Sequence, residues 1–278
     1  MREDISYKYN KLINILRSYV SLAVAFSGGV DSTFLLKVAH DVMGDKCIAI
    51  TINSEVFPER ERIASEDFCA TEGIERIEIK CNDLEIPGFR GNPSDRCYLC
   101  KKSVFSEIIK AASVKGIRDI AEGSNIDDEG DYRPGLKAIN ELGIKSPLRE
   151  AGLTKDDIRQ LSHNLGLSTW DKPSFACLAS RFVYGEEISE EKLKMVDEAE
   201  KLLLEKGFSQ LRVRIHEGIR ENNNSKYYIA RIEIPGEDME HLLKCREEIV
   251  EGFKALGFDY ISMDMEGFRT GSMNEVLL

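Results

Sequence analysis

Two features of this chain are suited to chemistry: a set of three cysteines and a glycine turn. Cys97-Tyr98-Leu99-Cys100 sets two thiols within reach of one metal or one cluster. A Cys-x-x-Cys alone serves equally as a redox pair, half of a zinc site or two iron-sulfur ligands. The chain has no second Cys-x-x-Cys, as a zinc ribbon would need, but it has Cys177 in the loop-like stretch Pro173-Ser174-Phe175-Ala176-Cys177-Leu178-Ala179-Ser180-Arg181. Three cysteines can hold a four-iron four-sulfur cluster and leave one iron open for an extra sulfide. The competing reading of Cys177 is a buried small hydrophobe between Phe175 and Leu178, and the same reading is given to Cys47, Cys69, Cys81 and Cys245. The histidines show no ligand spacing and receive no role.

The glycine turn is Ser27-Gly28-Gly29-Val30-Asp31-Ser32. The apolar run Leu22 to Phe26 precedes it, and Leu35, Leu36, Val38, Ala39 and Val42 follow at helical spacing, so it reads as strand, loop, helix. Unpaired N–H groups at a helix start, glycines that admit close approach and the hydroxyls of Ser27 and Ser32 make an anion site. The lysine of a Walker loop is missing and the glycines are adjacent. Asp31 carries two readings, a Mg²⁺ ligand beside phosphates or a helix cap.

These groups need a scaffold. Further apolar runs at Cys47 to Ile52, Arg76 to Cys81 and Asp119 to Ala121 alternate with helical segments, which predicts an α/β fold on a parallel sheet. Thr154, three residues before Asp157, predicts a capped helix to about Leu165 with Gly166 as its stop. Past Arg181 the pattern changes: a helix to about Lys206, strand-like runs Gln210 to His216 and Lys226 to Ile234 around an asparagine turn, a helix Asp238 to Leu256 and a strand near Tyr260 to Met265. The expected domains are 1–185 and a smaller α+β module at 186–278. At 278 residues, two domains are the prior.

A net charge of −11 argues against a nucleic-acid-wrapping surface. The acidic start, Met-Arg-Glu-Asp, and the lack of an apolar run near the roughly 20 residues that span a bilayer predict a soluble cytoplasmic protein with no membrane partner. Seven cysteines without a secretory signal make a disulfide framework a poor expectation.

The turn resembles the signature of the PP-loop ATP pyrophosphatases, which cleave ATP between the α and β phosphates and adenylate a substrate oxygen. Together with Arg96-Cys97-Tyr98-Leu99-Cys100-Lys101, Asp131-Tyr132-Arg133-Pro134-Gly135, Pro173 to Arg181 and Glu266-Gly267-Phe268-Arg269-Thr270-Gly271-Ser272-Met273-Asn274-Glu275, it resembles the LarE family of PP-loop sulfur transferases. The resemblance implies a PP-loop (adenine nucleotide alpha hydrolase-like) sheet with a smaller C-terminal α+β domain. It implies adenylation by ATP and Mg²⁺ of a carboxylate of pyridinium-3,5-biscarboxylic acid mononucleotide, then sulfur delivery to form a thiocarboxylate on the way to a nickel-pincer nucleotide cofactor. Some family members sacrifice the cysteine matching Cys177; others use three cysteines and a rechargeable iron-sulfur cluster, which Cys97, Cys100 and Cys177 fit better.

Other roles come with the resemblance. Arg212 and Arg214 would take the substrate's phosphate with Glu200 in the same region, and Arg181 and Lys101 would neutralise carboxylate or phosphate. Their competing readings are a solvated strand face for the two strand arginines, an exposed acid for Glu200 and surface charges for Arg181 and Lys101. The expected partners are a small-molecule nucleotide, a sulfide donor and further copies of the chain in a homo-oligomer. Two rival functions stay open: tRNA thiolation, and a PP-loop amide-forming synthetase with a structural zinc site.

Overall fold

Leu22, Ala23 and Val24 are wholly inaccessible, as a strand covered on both faces requires. In the computed structural model, which describes residues 3–128, 134–173, 176–269 and 272–273, they form strand β1 (Leu22–Ala25). The chain divides into two units, Met1–Asp83 with Asp95–Phe175, and Leu84–Ser94 with Ala176–Leu278. The division thus falls ahead of the expected 185/186 boundary, because Phe182 bridges to Ile215 in the second unit's sheet.

In the first unit α1 (Glu3–Arg17) precedes β1, and α2 (Val30–Met43), β2 (Cys47–Asn53), α3 (Glu59–Glu72), β3 (Arg76–Lys80), α4 (Arg96–Val114) and β4 (Asp119–Ala121) follow. The sheet is parallel throughout in the order β3-β2-β1-β4. Alternate residues of β1 face opposite layers: Leu22 and Val24 pack with Leu12, Phe34 and Leu161, while Ala23 packs with Phe105, Ile108 and Ile139. The chain leaves β1 toward β2 and returns on its other side as β4, so the crevice past the ends of β1 and β4 is a topological switch point, where open α/β sheets bind ligands.

Helices α5 (Pro134–Glu141), α6 (Pro147–Ala151) and α7 (Lys155–Asn164) complete the unit. Thr154 caps α7 as expected. Its Oγ1 accepts the Asp157 N–H at 3.2 Å, and Asp157 Oδ2 accepts the Thr154 N–H at 3.1 Å and Lys8 Nζ of α1 at 2.8 Å.

The second unit holds α8 (Glu190–Glu205), β5 (Arg212–Ile219), β6 (Lys226–Glu233), α9 (Met239–Lys244), α10 (Arg246–Ala255) and β7 (Tyr260–Met263), with sheet order β5-β6-β7. The single helix expected over Asp238 to Leu256 is two, parted at Cys245, whose φ −91° and ψ 5° leave the helical well. Residues 84–94 belong here because buried Asn92 is stitched in: its Nδ2 donates to Val183 O at 2.6 Å and its carbonyl accepts the Gly185 N–H at 3.0 Å. Among the described residues no helix is long and apolar enough to cross a membrane.

Candidate active site

The glycine turn closes on itself. Ser27 and Ser32 hydroxyls lie 3.1 Å apart, Ser32 Oγ donates to Gly29 O at 3.2 Å, and the Ser27 N–H donates to Ser32 Oγ at 3.3 Å. No side chain caps α2 at Gly29, so its leading N–H groups are available to an anion. Gly28 takes φ +68°, a conformation that a side chain disfavours.

Asp31 does not cap the helix. Its Oδ2 meets Lys155 Nζ at 2.5 Å and its Oδ1 accepts Asn125 Nδ2 at 3.3 Å. Lys155 was not legible as a site residue, yet a signal existed: a lysine in the first turn of α7 opposes the helix dipole and needs another reason to be there. Lys172 was missed as well; its Nζ donates to Gly28 O at 3.0 Å and to Glu61 Oε2 at 2.6 Å.

The turn after β4 supplies the crevice's other wall. Both oxygens of buried Glu122 are occupied, by Ser124 Oγ at 2.7 Å and Ser146 Oγ at 2.6 Å, which fixes Gly123 against α2. A Cβ on Gly123 would stand 3.0 Å from Ser32 N and 3.2 Å from Asp31 C. Gly123→Ala is therefore expected to push the turn aside and weaken anion binding at the turn by about tenfold, with little change in the urea midpoint; calorimetric titration with inorganic pyrophosphate checks it.

Cys97 and Cys100 share one face of the first turn of α4, three positions apart and half-buried. Arg96 Nη2 lies 3.8 Å from Cys97 Sγ, and Cys100 Sγ donates to Asp83 Oδ1 at 3.5 Å. Burial pushes the Asp83 carboxyl up. Lys101 lays its stem on α5, so close that a Cβ on Gly135 would come within 2.7 Å of Lys101 Cδ.

Cys177, in the second unit, is exposed at the head of a 3-10 turn, Leu178–Arg181, and is not the buried hydrophobe of the competing reading. Cys47 and Cys69 are buried, and desolvation pushes their thiols up to about 12 and about 11. A thiol reagent at pH 8 should therefore modify Cys177 first and leave Cys47 and Cys69 intact until the protein unfolds, as peptide mass mapping would record. Cys97 and Cys100 stand in the first unit and Cys177 in the second. Among the described residues no group of three or more His, Cys, Asp or Glu side chains is gathered as a metal site.

The second unit buries Arg181, Arg212 and Arg214. Arg181, wholly inaccessible, is not a surface charge: its Nε and Nη2 grip both oxygens of equally buried Glu200 at 2.7 and 3.0 Å. Its Nη1 donates to Ser180 Oγ at 2.8 Å, Ala176 O at 3.1 Å and Cys177 O at 3.5 Å, so it holds the turn that presents Cys177. Glu200 Oε1 also accepts the Val213 N–H at 3.1 Å, so Glu200 is no exposed acid. Arg214 bonds Ser180 O at 2.7 Å and Glu233 and Ser272 at 2.8 Å each.

Arg212, 7 % exposed, lies over the Phe268 ring and makes no ion pair with a carboxylate among the described residues. Burial, then neighbouring Arg181 and Arg214, lower its pKa to about 10, which leaves it a cation at neutral pH among like charges. That arrangement favours an anion. Neither strand arginine lies on a solvated face. Asp131, Tyr132, Arg133, Ser174, Phe175, Thr270, Gly271, Asn274 and Glu275 of the sequence runs lie outside the described residues.

A parallel sheet whose first strand feeds a Ser-Gly-Gly-Val-Asp-Ser turn at its switch point, without a Walker lysine, defines an α/β enzyme of the PP-loop class. No protein-family model matches the chain. It is 39% identical to an uncharacterized protein of Synechocystis sp., over 96% of this chain and 98% of that one. It is 35% identical to the pyridinium-3,5-bisthiocarboxylic acid mononucleotide synthase of Lactiplantibacillus plantarum, over 98% of this chain and 96% of the relative. A tRNA-specific 2-thiouridylase of Rickettsia africae is 26% identical over 58% of this chain and 54% of its own length. The chain belongs to the LarE family of PP-loop sulfur transferases.

Proposed function

We propose that this enzyme uses ATP to adenylate a carboxylate of pyridinium-3,5-biscarboxylic acid mononucleotide and then exchanges the adenylate for sulfur. A carboxylate oxygen attacks the α phosphorus, the α–β anhydride bond breaks and pyrophosphate leaves. A sulfur nucleophile then adds to the acyl carbon and AMP departs, which leaves a thiocarboxylate. The observation that carries the reading is the uncapped start of α2 beneath Ser27-Gly28-Gly29, a seat for the leaving pyrophosphate. Asp31 would hold Mg²⁺ on the phosphates. Arg212 and Arg214 would take the substrate's own phosphate, with Glu200 and Arg181 as the buried pair that orients them and the Cys177 turn. Lys101 would face a substrate carboxylate or phosphate.

Cys97, Cys100 and Cys177 would be the ligands of a three-cysteine four-iron four-sulfur cluster, which would supply sulfide for the transfer. Iron and acid-labile sulfide in anaerobically purified protein are expected, and Cys97→Ser should remove both; full iron in that variant would dismiss the cluster. A separate sulfide donor and a homo-oligomer belong to the same proposal. Burial of Arg181 and Arg214 in ion pairs, with a net charge of −11, weighs against a tRNA surface. Protein incubated with ATP, Mg²⁺ and the dicarboxylated nucleotide should yield AMP, pyrophosphate and a thiocarboxylate. ADP and phosphate would refute the assignment, and an amide formed with ammonia would move it to the synthetases.

A further inference from the structure

The Gly28–Gly29 peptide joins two residues without side chains, so two opposite orientations of its plane are sterically open. An anion needs one of them, and something must choose. The carbonyl and the following N–H of a trans peptide point to opposite sides. Lys172 Nζ binds Gly28 O at 3.0 Å and thereby turns the Gly29 N–H away from itself.

Lys172 is itself held at both ends. Its ammonium meets Glu61 Oε2 at 2.6 Å, on a side chain only 8 % exposed. Its backbone carbonyl accepts Arg159 Nη2 at 2.8 Å, and Arg159 Nη1 also grips Trp170 O at 2.7 Å. A cation serving only to neutralise Glu61 would have no need of the Gly28 carbonyl.

We propose that Lys172 is a positioning residue that locks the Gly28–Gly29 peptide with its N–H toward the pyrophosphate end of the nucleotide; this rests on the PP-loop reading above.

The test is calorimetric titration of the full chain with inorganic pyrophosphate and Mg²⁺, with AMP as the control ligand. In the double variant Lys172→Met, Glu61→Gln no unpaired charge is buried, so the urea midpoint should stay near wild type. AMP affinity should hold within about threefold while pyrophosphate affinity falls by about tenfold or more. Lys172→Arg, which can still donate to Gly28 O, should bind pyrophosphate within about threefold of wild type. Wild-type pyrophosphate affinity in the double variant would overturn the proposal. Should that variant not fold, the same result in Lys172→Met alone would overturn it. Wild-type protein that neither binds pyrophosphate nor forms AMP would instead bring down the PP-loop reading itself.

Discussion

Replacing Arg181 with methionine is expected to cost the second unit about 3–5 kcal/mol, because it strands the Glu200 carboxylate without its cation where neither side chain is exposed. Urea denaturation should register the loss, with faster amide exchange in α8 and β5 as the local sign. The paired variant Arg181→Met, Glu200→Leu should recover most of that stability, since replacing both charges by apolar groups removes the desolvation cost. Its sulfur transfer should nevertheless stay impaired, because Arg181 Nη1 also holds the carbonyls of Ala176 and Cys177. A loss below about 1 kcal/mol in the single variant would mean that the pair is not the clamp described here.

Cys177→Ser should have the opposite profile. Its site is exposed, so stability should shift by no more than about 0.5 kcal/mol. Thiocarboxylate formation should fall by about a thousandfold or more while the first-turnover release of pyrophosphate persists within a few-fold, because the turn at Ser27–Ser32 and the arginines of β5 are untouched. Mass spectrometry of the nucleotide product alongside pyrophosphate quantitation separates the two steps. Undiminished thiocarboxylate would remove Cys177 from the chemistry.

What could be read from the sequence divides along the line between local and tertiary signals. The strand-turn-helix around Ser27–Ser32 was legible because an apolar run, adjacent glycines and helical spacing all lie within one stretch of chain. The capped start of α7 was legible for the same reason. Lys155, Lys172, Glu61 and Glu122 were not, since each reaches the turn or its wall only through packing, and residue type alone marks them as surface charges.

Arg181 and Glu200 illustrate the same limit: nothing in a helix of mixed acids and leucines announces which glutamate faces inward to meet an arginine. Residues 84–94 joined the second unit through Asn92, a single buried amide that no periodicity flags. The break between α9 and α10 escaped notice because Cys245 carries no glycine or proline signal.

In the proposed reaction, attack of a substrate carboxylate on the α phosphorus of ATP is the step on which the remaining chemistry depends. Dicarboxylated nucleotide bearing ¹⁸O in its carboxylates, incubated with unlabelled ATP, Mg²⁺ and the enzyme, should give AMP carrying one ¹⁸O and pyrophosphate carrying none. Label absent from AMP, or ADP in its place, would contradict the account.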